Sequence, residues 1–231
     1  MDSKLDLNTV IRPTLIRLED SIIFHLFERT HFKTNDIIYT PGKIKVPNKE
    51  LSFMDYLFRG TEELHATAGR YLHPEEHSFF DNLPESLIPR RIEENPIKEN
   101  NLNFNPKIRE IYQKAIHKIC KKGDDGHYGS TAVCDIRALQ DISRRVHYGL
   151  FVAESKFQKD PKEYTRLISD GDVDGIRDKL RNIPVEKKIL ERVRRKGEKF
   201  GVNPEFVEKF YENEIIPLTI NIEVEYFLLK N

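Results

Sequence analysis

Residues 143–158 read SRRVHYGLFVAESKFQ, and this stretch decides the fold. At about 100° per residue, Arg145, Gly149, Val152 and Lys156 fall on one side of a helix. The two cations stand about three turns apart, roughly 16 Å along the axis, and bracket two small residues. Glycine in the middle of a surface helix costs about 0.5–1 kcal/mol relative to alanine, so Gly149 signals a need for space. The spacing predicts a helix face that holds a small anion over a floor of Gly149 and Val152.

Working outward, the chain reads as helices separated by turn punctuation, with no strand ladder. Residues 7–32 carry Val10, Leu15, Leu18, Ile22, Ile23, Leu26 and Phe27 at helical spacing, with Pro13 in the first turns, where proline is tolerated. A second helix is predicted over about 51–71. Residues 73–105 hold four prolines among acids and asparagines and read as an irregular connection. Residues 107–121 are amphipathic and end in basic residues that suit a helix C-terminus.

Gly123-Asp-Asp-Gly126 is a loop, after which Ser130 is expected to cap one long central helix reaching Gln158. Asp160 resembles a capping-box residue with Pro161 at the first helical position, and Asp172 opens a short helix. Pro184 opens the next, which stops at Gly201. Asn203-Pro204 caps the last, with a kink expected at Pro217. The class is all-α: a single-domain helical bundle over residues 1–231.

The 231 residues include 38 basic and 38 acidic side chains. That balance argues against nucleic acid, which needs a concentrated basic field. No apolar run approaches the roughly 20 residues needed to cross a bilayer, and the N-terminus lacks the apolar core of a signal peptide. Cys120 and Cys134 are the only cysteines and read as reduced thiols in a cytoplasmic protein.

Other polar features sit at suggestive places. Thr219 and Glu223 lie i,i+4 on the last helix, Asn182 and Glu186 flank Pro184 at the same spacing, and Arg12 stands near the first helix start. Alone, each is more often an ordinary solvated face, and a basic side such as Arg145/Lys156 is usually solvent-facing or paired with carboxylates. His73-Pro-Glu-Glu-His77 formally matches a zinc signature, but that chemistry needs both histidines on a stable helix. Pro74 and the irregular setting make it a chance match. Glu223-Val-Glu225 should divide, half site and half surface, because an i,i+2 pair points in different directions on a helix.

Read together, RLEDSIIF (17–24), Gly129-Ser130, DISRRVHYGLFVAESKFQ (141–158), VEKKILERV (185–193) and IIPLTINIEVEYFL (215–228) resemble the fungal and plant type of chorismate mutase. The resemblance covers nearly the whole chain. It implies an isomerase of aromatic amino-acid biosynthesis that converts chorismate to prephenate by a pericyclic rearrangement, with no cofactor, metal or covalent intermediate. By resemblance, Arg12 and Arg145 pair with the two substrate carboxylates. Lys156 and Glu223 meet the ether oxygen, Glu186 holds the ring hydroxyl, and Asn182 and Thr219 assist in binding. Glu223 must then be protonated to donate, and burial would raise its pKa against Lys156. The alternative is a non-catalytic helical dimer that keeps the anion cage.

The resemblance further implies a homodimer with an interface site for tyrosine and tryptophan effectors. Arg70, Gly129 and Ser130 match its positions. Gly69 stands where the family has a second arginine, and Val133 where it has a threonine. Glycine offers no side-chain donor and valine no hydroxyl, so weakened effector control is expected.

Overall fold

The computed structural model describes residues 5–89 and 96–230, which contain no strand. The helices are α1 (Arg12–Thr30), α2 (Phe53–Thr67), α3 (Asn105–Ile119), α4 (Tyr128–His147), α5 (Gly149–Lys159), α6 (Pro161–Ser169), α7 (Val173–Leu180), α8 (Ile183–Phe200), α9 (Pro204–Phe210) and α10 (Ile216–Leu228). Local chemistry sets most of their ends. Asp160, Asp172, Asn182 and Asn203 accept backbone N–H groups at the starts of α6, α7, α8 and α9. Gly201 ends α8 in the left-handed region, at φ 80°. The described parts of residues 73–105 contain no helix before α3. None of the described helices is long and apolar enough to cross a membrane.

Three local expectations are corrected. Helix α4 starts at Tyr128 behind His127, so Ser130 lies inside its first turn and does not cap it. The central helix is also interrupted: Tyr148 separates α4 from α5, although its N–H still bonds Arg144 O at 2.9 Å. The last helix is three segments, because a π-helical turn over Tyr211–Ile215 joins α9 to α10.

A second π-helical turn, Leu7–Ile11, leads into α1. In both turns the N–H bonds the carbonyl five residues back, Arg12 to Leu7 and Ile216 to Tyr211. In both, a proline follows one residue later, Pro13 and Pro217. A proline ring clashes with the carbonyl four residues before it, and a widened turn moves that carbonyl aside. The kink expected at Pro217 is thus absorbed upstream of it.

One apolar cluster runs from Ile22, Ile23 and Leu26 of α1 through Ile111 and Tyr112 of α3 and Leu139, Ile142 and Val146 of α4 to Ile222 and Phe227 of α10. A smaller one joins Leu5 and Ile11 to Tyr148 and Val152, seating the N-terminal turn on the α4/α5 break. Two buried charge networks fix the frame. Arg29 Nε bonds Asp135 Oδ1 at 2.8 Å while Tyr112 donates to the same oxygen at 2.7 Å, tying α1 and α3 to α4. Arg192 forks both oxygens of the buried Glu19 at 2.7 Å, tying α8 to α1. Buried carboxylates are tolerable only when paired in this way.

Candidate active site

Helix α10 lies against α5 more closely than a side chain at position 149 would allow. A Cβ on Gly149 would stand 2.8 Å from Ile222 Cγ2 and 3.2 Å from the Thr219 carbonyl oxygen. Gly149 is therefore a helix-crossing point and not the floor of a ligand site. Val152 is likewise turned into the smaller apolar cluster. What the glycine permits is the approach of Thr219 and Glu223 to the two cations that flank it.

The i,i+4 pair of α10 meets those cations one to one. Arg145 Nη1 donates to Thr219 Oγ1 at 3.3 Å, and Lys156 Nζ donates to Glu223 Oε2 at 2.9 Å. Thr219 gives its own hydroxyl proton to Ile215 O at 2.7 Å, so it can only accept from Arg145. Lys156 also donates to the carbonyl of Leu180, at 2.7 Å, on the last residue of α7. An ammonium has three donors, so one N–H remains for a ligand.

The charges in this arrangement are unequally satisfied. Arg145 is 3% exposed, its single long bond goes to Thr219, and its Nε has no partner. Among the described residues it makes no ion pair. A buried guanidinium left this way is expensive unless an anion completes it. Glu223 is also 3% exposed. Burial pushes its pKa up, with Lys156 and Arg145 opposing and Glu186 adding to the rise. Glu225, two residues on, is exposed.

The other expected residues stand nearby in varied states. Asn182 is exposed and caps α8 by accepting Val185 N–H at 3.1 Å. Glu186 completes a capping box, accepting Asn182 N–H at 3.2 Å and pairing with Arg181 at 2.8 Å. Arg12 is half-buried beside Ile11, which packs on Tyr148 and Val152, but its guanidinium is bonded to the Asn8 side chain. Sequence reasoning missed Asn8, Arg181 and the Leu180 carbonyl. A main-chain acceptor leaves no signal in residue types, and Arg181 lies five residues from Glu186 across the break before α8, whereas Asn8 was readable as the i,i+4 neighbour of Arg12.

A separate cavity of about 460 Å³ lies between α1, α2 and α4, lined by His25, His65, Arg70, Val133, Gln140 and Asp141 among others. Arg70 is already engaged there, with Glu76 at 2.9 Å, Gln140 at 2.8 Å and His65 at 3.0 Å. Gly69 has φ 79°, and a Cβ there would meet Ser86 Oγ at 3.1 Å, so an arginine at this position would be strained and tightly packed. Gly129 and Ser130 are exposed on the first turn of α4 and do not line this cavity. His77, half of the zinc-like motif, stacks on His147 with ring centroids 3.9 Å apart and bonds the carbonyl of Pro74.

Residues 127–224 match the family model for chorismate mutase type II. The chain is 39% identical to the chorismate mutase of Schizosaccharomyces pombe, across 100% of this chain and 98% of that protein. The structure of chorismate mutase from Candida albicans in complex with L-Trp superposes with a TM-score of 0.93, at 37% identity, covering 97% of this chain and 91% of that one. AtCM1 with tyrosine bound in its allosteric site gives a TM-score of 0.92 at 40% identity, covering 99% and 98%.

Proposed function

The chain belongs to the type II chorismate mutase family, and from that premise we propose how its own residues rearrange chorismate to prephenate in aromatic amino-acid biosynthesis. The reaction is an isomerisation within one molecule, so nothing has to be attacked. The protein must fold the enolpyruvyl arm over the ring and steady the charge that grows on the ether oxygen.

Arg145 carries the proposal. Its buried donors, with Nε unpartnered, suit the bidentate grip of a carboxylate. Arg12 takes the second carboxylate after leaving Asn8, with Thr219 and Asn182 assisting. Lys156 offers its free N–H to the ether oxygen. Glu223, with its pKa raised by burial, donates from the other side in its protonated form. Glu186 holds the ring hydroxyl. A chorismate-depletion assay on purified protein tests this with Arg145→Ala: turnover should be lost while the helical circular-dichroism signal is kept. Near-normal turnover in that variant removes the cage.

The domain organisation we propose is a single domain, supported by one apolar cluster that reaches from Ile22 to Phe227. Two copies pair, and the cavity around Arg70 is the site for aromatic amino acids, completed by Gly129 and Ser130 of the second copy. Control there is weakened, because Gly69 and Val133 supply no polar side chain and Arg70 is already engaged. Buried, unbridged Cys120 and Cys134 support a cytoplasmic setting.

A further inference from the structure

The segment that leaves α2 brings two carboxylates against two arginines that lie far apart in sequence. Glu76 Oε2 accepts from Arg70 Nε at 2.9 Å, and Glu76 Oε1 stands 3.3 Å from Arg144 Nε. Glu75 faces Arg144 alone, at 3.6 Å from Nη2. The Glu76 side chain is only 11% exposed, so this contact is sheltered more than a surface ion pair. Arg70 lines the 460 Å³ cavity, and its remaining engaged nitrogen, Nη1, points to Gln140 and His65.

The arginine that would receive the carboxylate of a free amino acid therefore already holds a carboxylate of its own chain. Arg144 Nε stands 3.3 Å from the other oxygen without a hydrogen bond to it, so it steadies Glu76 by charge alone. A ligand anion that takes Arg70 through Nε must displace Glu76, an exchange of one charge-assisted pair for another, and at the unbonded Nη2 it still meets the negative charge of Glu76 on the same guanidinium. Gly69 offers no alternative donor, since glycine has no side chain, and a longer one there would be strained by the left-handed backbone.

We propose that Glu76 is a resident competitor that occupies Arg70 and sets how strongly the cavity takes the carboxylate of an aromatic amino acid. This rests on reading that cavity as the effector site. Glu75 is the built-in control: it shares Arg144 but leaves Arg70 alone.

Calorimetric titration of L-tyrosine, L-tryptophan and L-phenylalanine into the wild type, Glu76→Gln and Glu75→Gln tests the assignment. Glu76→Gln should bind at least one of them about ten-fold more tightly than the wild type, even if wild-type binding is undetectable. Glu75→Gln should stay within about two-fold of the wild type. The proposal fails if Glu76→Gln gains nothing, or if Glu75→Gln gains as much. Glu76→Ala gives the same reading should the glutamine variant not fold. Chorismate turnover on the same samples separates the two ideas. An active wild type whose Glu76 variants gain no affinity sinks the competitor alone, and an inactive wild type sinks the enzymatic reading.

Discussion

Replacing Gly149 with alanine puts one methyl group where α10 crosses α5. The backbone at 149 is helical, so alanine itself is favoured there by about 0.5–1 kcal/mol. Against this, the new Cβ lies 2.8 Å from Ile222 Cγ2 and 3.2 Å from the Thr219 carbonyl oxygen. The Ile222 methyl can turn aside, but the carbonyl is main chain, so α10 must shift. Overpacking of this kind costs about 1–3 kcal/mol, leaving a net loss of up to about 2.5 kcal/mol after the propensity gain. For a protein of this length that lowers Tm by up to about 10 °C. The shift also carries Thr219 and Glu223 away from Arg145 and Lys156, and misplacement approaching 1 Å costs up to about 100-fold in rate. Chorismate depletion and differential scanning calorimetry on Gly149→Ala should show kcat/KM falling far more than Tm. Wild-type kcat/KM with a raised Tm would refute the reasoning, since the glycine would then be neither a crossing point nor a determinant of the cage.

Two further outcomes depend on protons. Glu223 donates only when protonated, so turnover should decline as pH rises through its elevated pKa; Glu223→Gln should flatten the profile, and an unchanged slope would clear Glu223 as the cause. Burial, and then the neighbouring His77, holds the His147 pKa down to about 3, from 6.5. The unfolded chain therefore takes up this proton first as the solution acidifies. Stability is whole above pH 6.5 and is lost on descent toward pH 3, by up to about 5 kcal/mol. Urea midpoints between pH 7 and 4 should fall less steeply in His147→Gln, and parallel curves would defeat that assignment.

Local signals made the frame legible. Asp160, Asp172 and Gly201 act through bonds or dihedrals within a few residues of themselves, so their helix ends were readable in order. That Glu223 and Glu225 point different ways followed from helical angles, while which one is buried did not. The Tyr148 interruption and the π turns were not legible, because each displaces the backbone while leaving the apolar spacing nearly intact. Gly149 gave a true signal with the wrong cause: a small residue reports a close approach, not what approaches. Nothing in the sequence singled out Arg29, Glu19 or Asp135, because their partners lie on other helices. The same distance hid the bridge from Glu76 to Arg70 and Arg144, in a stretch whose only visible pattern was a histidine pair.

The turn over Tyr211–Ile215 contains one residue more than an α-helical path needs, as the Ile216-to-Tyr211 bond records. Each residue of an α-helix advances the azimuth by about 100°, so that surplus sets the rotational phase of everything downstream. Removing one residue from the turn would restore a plain helix only by setting the Pro217 ring against the carbonyl four residues before it, the clash that the wide turn relieves. Inserting one between Thr219 and Glu223 would turn the carboxylate about a quarter of the way round the axis. The turn thus serves the proline and the downstream phase together, one short segment away from a pair that tolerates no slip.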